Sequence, residues 1–285
     1  MRVPPAFFIG ALLALATTIA RAEIEPRLVT YKSGEAALQG WIYEPAGQGP
    51  FPAVLYNHGS EKTPGWFPPL GKFWTDHGFV FFVPHRSGHG RSPGAYIVDE
   101  QEKFRAQEKE VERVRAHTIK LHERANLDVV AALAWLREQP FVDRRRCIVA
   151  GISYGGIQTV LTAEKGLDVR GFVAFSPGAM SWAGNPLLRD RLRLALERAP
   201  APVFLLQAHN DYNLGPMEML GGELKRKGGL NRAKLYGDFG AKDNPKDGHG
   251  GFAVRGSDVW GADVLAFVSA VFASGGAGVP PGAGR

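Results

Sequence analysis

The chain has 285 residues, 45% hydrophobic and 22% charged, enough apolar surface for one large core and unlike a disordered or fibrous protein. Its formal net charge of +6 is mild, with basic residues mixed among acidic ones, which argues against nucleic-acid binding. A single cysteine, Cys147, excludes an intramolecular disulfide and is expected to be a small core residue.

At the N-terminus, Met1-Arg2 gives a positive start and residues 6–19 form an apolar run. Ala20-Arg21-Ala22 then supplies an A-x-A site before the polar Glu23-Ile24-Glu25-Pro26. This pattern predicts a secretory signal over residues 1–22, cleaved after Ala22, since the run is short for a bilayer span. The expected product is exported, periplasmic or secreted, without stable membrane insertion after cleavage. Losing Arg2 and Arg21 would leave 32 basic against 28 acidic residues.

Residues 28–31 and 37–43 predict an antiparallel pair around Ser33-Gly34. Residues 51–57 form an apolar strand ending in Asn57-His58-Gly59-Ser60, 66–77 a short helix, and 79–84 a strand apolar on both faces. The loop Arg86-Ser87-Gly88-His89-Gly90-Arg91-Ser92 follows. The charged stretch 99–123, leading into 126–137, predicts one or two amphipathic helices over the domain, a candidate wall or lid. After residue 153 come strands at 169–176, 202–208 and 233–236, with helices within 185–199, at 216–227 and at 256–273. Strands alternating with helices predict an α/β fold with a mostly parallel sheet covered on both faces, one domain over 23–273. Residues 274–285 are Gly/Pro-rich and expected to be disordered.

The chemistry concentrates in Gly151-Ile152-Ser153-Tyr154-Gly155, where an apolar strand turns sharply into a helix. Such a turn strains its central residue and exposes its hydroxyl at a helix N-terminus. A serine nucleophile needs a base for its proton and a carboxylate to orient that base. Asp211 directly follows a buried strand. His249 lies in the Gly-rich run Gly248-His249-Gly250-Gly251 beyond the last strand. The chain order Ser153, Asp211, His249 is the order this architecture uses. His209 is the main rival base; Asp238, Asp243 and Asp247 are rival acids. His77, His117 and His122 are expected at the surface. The oxyanion of an acyl-transfer intermediate needs two backbone donors, assigned to Tyr154 and Ser60, with Glu61 as the next choice after Ser60. His58 is expected to brace that loop. Scattered histidines, without H-E-x-x-H or C-x-x-C spacing, lead us to expect no metal and no cofactor.

As an ordered set, Asn57-His58-Gly59-Ser60, residues 86–92, the Ser153 motif, Gln207-Ala208-His209-Asn210-Asp211 and Gly248-His249-Gly250 resemble the α/β-hydrolase superfamily. The likeness is to its dienelactone-hydrolase-like branch, which borders the prolyl-oligopeptidase-type peptidases and the acetyl-xylan-esterase-like enzymes. Dienelactone hydrolase proper has a cysteine nucleophile where this chain has Ser153, so its substrate does not carry over. The resemblance implies a serine hydrolase acting on a small-molecule ester. Trp66, Tyr154, Trp182 and residues 99–125 are expected among the pocket walls. A peptidase for short peptides is the alternative, though no propeller precedes the catalytic unit. A non-catalytic ligand-binding protein is a further one. Substrate, acyl length and oligomeric state are not legible.

Overall fold

The structure is a computed structural model that describes residues 24–274. The predicted signal, residues 1–22, and all of the predicted tail except Ser274 lie outside them. Eight strands form one sheet: β1 (Arg27–Ser33), β2 (Ala36–Tyr43), β3 (Phe51–Asn57), β4 (Val80–Pro84), β5 (Val142–Ile152), β6 (Gly171–Phe175), β7 (Val203–Ala208) and β8 (Arg232–Tyr236). Their order is β1-β2-β4-β3-β5-β6-β7-β8. The β1–β2 and β2–β4 pairs are antiparallel, and all others are parallel.

Period-two alternation builds a core on each face of the sheet. In β3, Ala53 and Leu55 join one apolar cluster while Val54 and Tyr56 join the other; in β5, Cys147 and Val149 oppose Ile148 and Ala150. Both faces are buried, which explains the near-continuous apolar runs. The first face is covered by α3 (Val111–Arg137), α4 (Tyr154–Ala163), α5 (Pro186–Arg198) and α6 (Gly215–Lys227), through residues such as Leu133, Val160, Leu192 and Leu224. The second is covered by α1 (Pro68–Asp76), the short α7 (Phe252–Arg255) and α8 (Ser257–Ser274), through Trp74, Phe252, Trp260 and Phe267. Burial pushes the Cys147 thiol up to about 12, as expected of a core cysteine.

The charged stretch forms two helices, α2 (Ile97–Gln107) and α3. Ile97 and Leu121 seat this pair on Tyr154. Ion pairs from Arg124 to Glu100 and from Arg191 of α5 to Glu123 brace it further. The last helix runs through Ser274, one residue into the predicted tail.

The topology fixes where a site can lie. The chain leaves β3 for β4 on one side and later places β5 on the other, so the connections diverge beside β3. Crevices at the carboxyl ends of strands at such a switch point are the usual ligand sites of open α/β sheets. Asn57 and Gly151 are paired in register, which sets the loops after β3 and β5 side by side.

Candidate active site

Ser153 sits between β5 and α4 at φ 57° and ψ −114°, a backbone conformation that costs energy for a residue with a side chain. Its N–H donates to Phe175 O at 3.0 Å, and its carbonyl accepts from Ile157 and Gly178. The flanking glycines are needed for close approach. A Cβ on Gly155 would lie 1.9 Å from Asn57 O, and one on Gly151 would lie 2.5 Å from Gly155 O. These contacts press the N-terminus of α4 against the end of β3.

Ser153, Tyr154 and Ser60 line one cavity of about 490 Å³. Ile97, Val98, Val111 and Val114 of the α2–α3 pair form much of its apolar wall, with Met180 and Ile157 opposite and Arg105 and Arg115 among its polar residues. Residues 99–123 therefore do form a wall, as the sequence suggested. Trp66 and Trp182, expected as walls, do not line the cavity: Trp66 is half exposed against Trp41, and Trp182 is buried in the core.

Asp211 and His249 meet. His249 Nδ1 lies 2.8 Å from Asp211 Oδ1, and the Asp211 side chain is fully buried. Asp211 also accepts from Gln207 Nε2 at 2.8 Å and from the Tyr212 N–H at 2.6 Å. His249 belongs to a single π-turn, Asp247–Gly251. Gly248 lets that turn close on the β7 loop, since a Cβ there would lie 2.4 Å from Asn210 Oδ1. Asn210 in turn donates to Phe239 O and Ala241 O at 3.0 Å each, tying the two loops together. His249 Nε2 is buried and hydrogen-bonds to no described residue, Ser153 included. The structure thus brings together Asp211 with His249, and Ser153 with Ser60 and Tyr154, without a direct bond between the two groups.

The rivals His209, Asp238 and Asp247 are otherwise engaged. His209 is 64% exposed and pairs with Asp238 at 3.0 Å. Asp247 pairs with Arg255. His122 is not at the surface: it is buried, lines the cavity and packs its ring, tilted, 4.7 Å from that of Tyr154. Its neighbours along α3 are charged, but it occupies the face turned inward. Burial, with Arg86 nearby, lowers its pKa to about 3. The same causes hold His85 and His89 down at about 4. His58 is fully buried with Nδ1 2.9 Å from Gly59 O.

Sequence reasoning did not single out Arg86 or Tyr96, both of which hold the loop after β3. The glycine-spaced run at 86–92 was the available signal. Among the described residues, no three His, Cys, Asp or Glu side chains are grouped to hold a metal ion.

The sequence profile of the alpha/beta hydrolase family matches residues 54–279. A Bacillus subtilis protein named uncharacterized peptidase YtmA is 28% identical over 159 residues, which are 55% of this chain and 50% of that protein. The chain thus spans about half the length of that curated relative. Among solved structures, the Pyrococcus furiosus esterase Pf2001 superposes with a TM-score of 0.59 at 18% identity, over 86% of this chain and 90% of that one. A dienelactone hydrolase from Anabaena variabilis gives 0.57 at 17%, over 84% and 98%. The Pyrococcus horikoshii acylaminoacyl peptidase gives 0.59 at 20%, over 80% of this chain and 39% of that one. At such identities these structures speak for the fold. The profile match covers most of the chain, and the chain belongs to the alpha/beta hydrolase family.

Proposed function

We propose that the protein is a serine hydrolase that cleaves a carboxylic ester through an acyl-enzyme. The observation that carries this reading is Ser153, held at positive φ at the head of α4 and opening into the cavity. Ser153 Oγ attacks the ester carbonyl carbon while its proton passes to His249 Nε2. The carbonyl π pair becomes an oxygen anion held by the Ser60 and Tyr154 N–H groups. Asp211 keeps the Nδ1 proton of His249 and steadies the imidazolium. Collapse breaks the bond to the alcohol, which leaves with the proton from Nε2. Water then gives a proton to Nε2 and attacks the acyl carbonyl carbon; collapse breaks the bond to Oγ, which takes that proton back, and the carboxylic acid leaves. The hydrogen bond from Oγ to Nε2 is of the kind that tightens when substrate is bound. The buried, unpartnered Nε2 is in the state such a bond requires.

The peptidase reading is favoured by the name of the Bacillus relative and by the acylaminoacyl peptidase likeness. Turnover of p-nitrophenyl acyl esters against peptide p-nitroanilides, with Ser153→Ala as control, separates them. Ester turnover well above amide turnover is expected. The reverse ranking would make the protein a peptidase, and a fully active Ser153→Ala would remove both readings.

A further inference from the structure

The loop after β3 is gripped along its length by residues 86–96. Arg86 Nη2 donates to His58 O at 3.0 Å and to Gly59 O at 2.6 Å. The Tyr96 hydroxyl donates to Ser60 O. His89 Nδ1 meets Glu61 O at 2.9 Å, and the Gly90 N–H donates to Lys62 O at 2.8 Å. Every carbonyl from His58 to Lys62 is thereby taken.

In a trans peptide the C=O of one residue and the N–H of the next point in opposite directions. The Gly59–Ser60 peptide is trans, so the Arg86 bond to Gly59 O sets the direction of the Ser60 N–H, away from the guanidinium. That N–H donates to no described residue. Arg86 also reaches the other side of the site: its Cζ lies 4.5 Å over the Tyr154 ring, and Tyr154 is the first residue of α4, where N–H groups lack helical partners.

Arg86 is 1% exposed. It makes no ion pair within 4.0 Å among the described residues, and its Nε and Nη1 are buried without partners. Nη2 is satisfied by the two carbonyls and lies 3.0 Å from His58 Nδ1, but burying Nε and Nη1 without partners costs stability.

We propose that Arg86 is the positioning residue of the oxyanion hole. One buried guanidinium holds the Gly59–Ser60 peptide and the Tyr154 ring together, so the two N–H donors keep a fixed separation. Its charge, with no carboxylate paired to it, favours the oxygen anion that forms between them. This role rests on the proposed reading of Ser153, Ser60 and Tyr154.

The test measures kcat and KM for p-nitrophenyl acetate in Arg86→Lys and Arg86→Met, with inhibition by phenylboronic acid, whose tetrahedral adduct on a serine presents an oxygen to the same donors. Losing one oxyanion donor lowers kcat by about 10²–10³-fold; misaiming one by Arg86→Met is expected to cost about 10²-fold, and Arg86→Lys about tenfold. KM should stay within about threefold, and boronate affinity should fall with kcat. Both variants within about threefold of wild-type kcat, a loss confined to KM, or unchanged boronate affinity beside a lowered kcat would overturn the role. If Arg86→Met does not fold, Arg86→Lys decides by the same readouts. A wild type that takes no fluorophosphonate on Ser153 would remove the underlying reading; a labelled wild type with unaffected Arg86 variants removes the positioning role alone.

Discussion

At the scale of single residues, the proposed mechanism rests on the Asp211–His249 contact. Asp211→Asn keeps the shape but no longer fixes the tautomer of His249. It is expected to lower kcat by about 10⁴-fold with little change in KM, checked by steady-state kinetics beside a thermal melt. Gly155 acts on structure. A Cβ there would stand only 1.9 Å from Asn57 O, so Gly155→Ala must push α4 from β3. A loss of about 3 kcal/mol or more is expected, read as a fall in the urea midpoint. Not all such roles were legible. The chain order of Ser153, Asp211 and His249 singled out Asp211 and His249, which the structure brings into contact, because strands of β propensity end just before Ser153 and Asp211. Arg86 opens the glycine-spaced run 86–92, but nothing in that run tells that the fold turns its side chain inward.

At the scale of elements, the histidines around Arg86 tie the loop after β4 and the α3 helix to pH. His85 and His89 are held at about 4 and His122 at about 3, by burial first and Arg86 second. Their folded pKa values lie below the unfolded value of about 6.5. The unfolded chain therefore takes up protons first as pH falls, and stability present above pH 6.5 is lost on the way down. The thermal midpoint should drop between pH 7 and pH 5, before most carboxylates titrate, and His122→Phe should flatten that drop. A midpoint level across this range in the wild type would contradict the burial of these rings. The α2–α3 pair rests on a small apolar seat of Ile97, Leu121 and Tyr154. Leu121→Ala is expected to cost about 2–3 kcal/mol and to raise KM more than it lowers kcat, because it loosens the cavity wall. The sequence placed helices here but did not resolve that α3 runs unbroken from Val111 to Arg137. Its first half has charged residues facing water and a few apolar ones facing the cavity, a weaker period than the Val129, Leu133 and Leu136 stripe that packs on the sheet.

At the scale of the whole molecule, the sheet order explains why distant segments converge. β3 and β5 are neighbours in parallel register, so their following loops bring Ser60 and Ser153 to one cavity, while β7 and the turn after β8 carry Asp211 and His249 into contact. The strands were legible because both sheet faces are buried and the runs are apolar throughout. The cavity was not, because its lining comes from four separate connections, after β3, β4, β5 and β6, whose side chains meet only after folding; hence the aromatic Trp66 and Trp182 were misplaced as walls. In the proposed mechanism this assembly activates Ser153. The direct measurement is labelling of the folded protein with a fluorophosphonate, followed by tandem mass spectrometry. One adduct is expected, on Ser153, lost in His249→Ala. A folded protein with no adduct, or with the adduct on another residue, would contradict it.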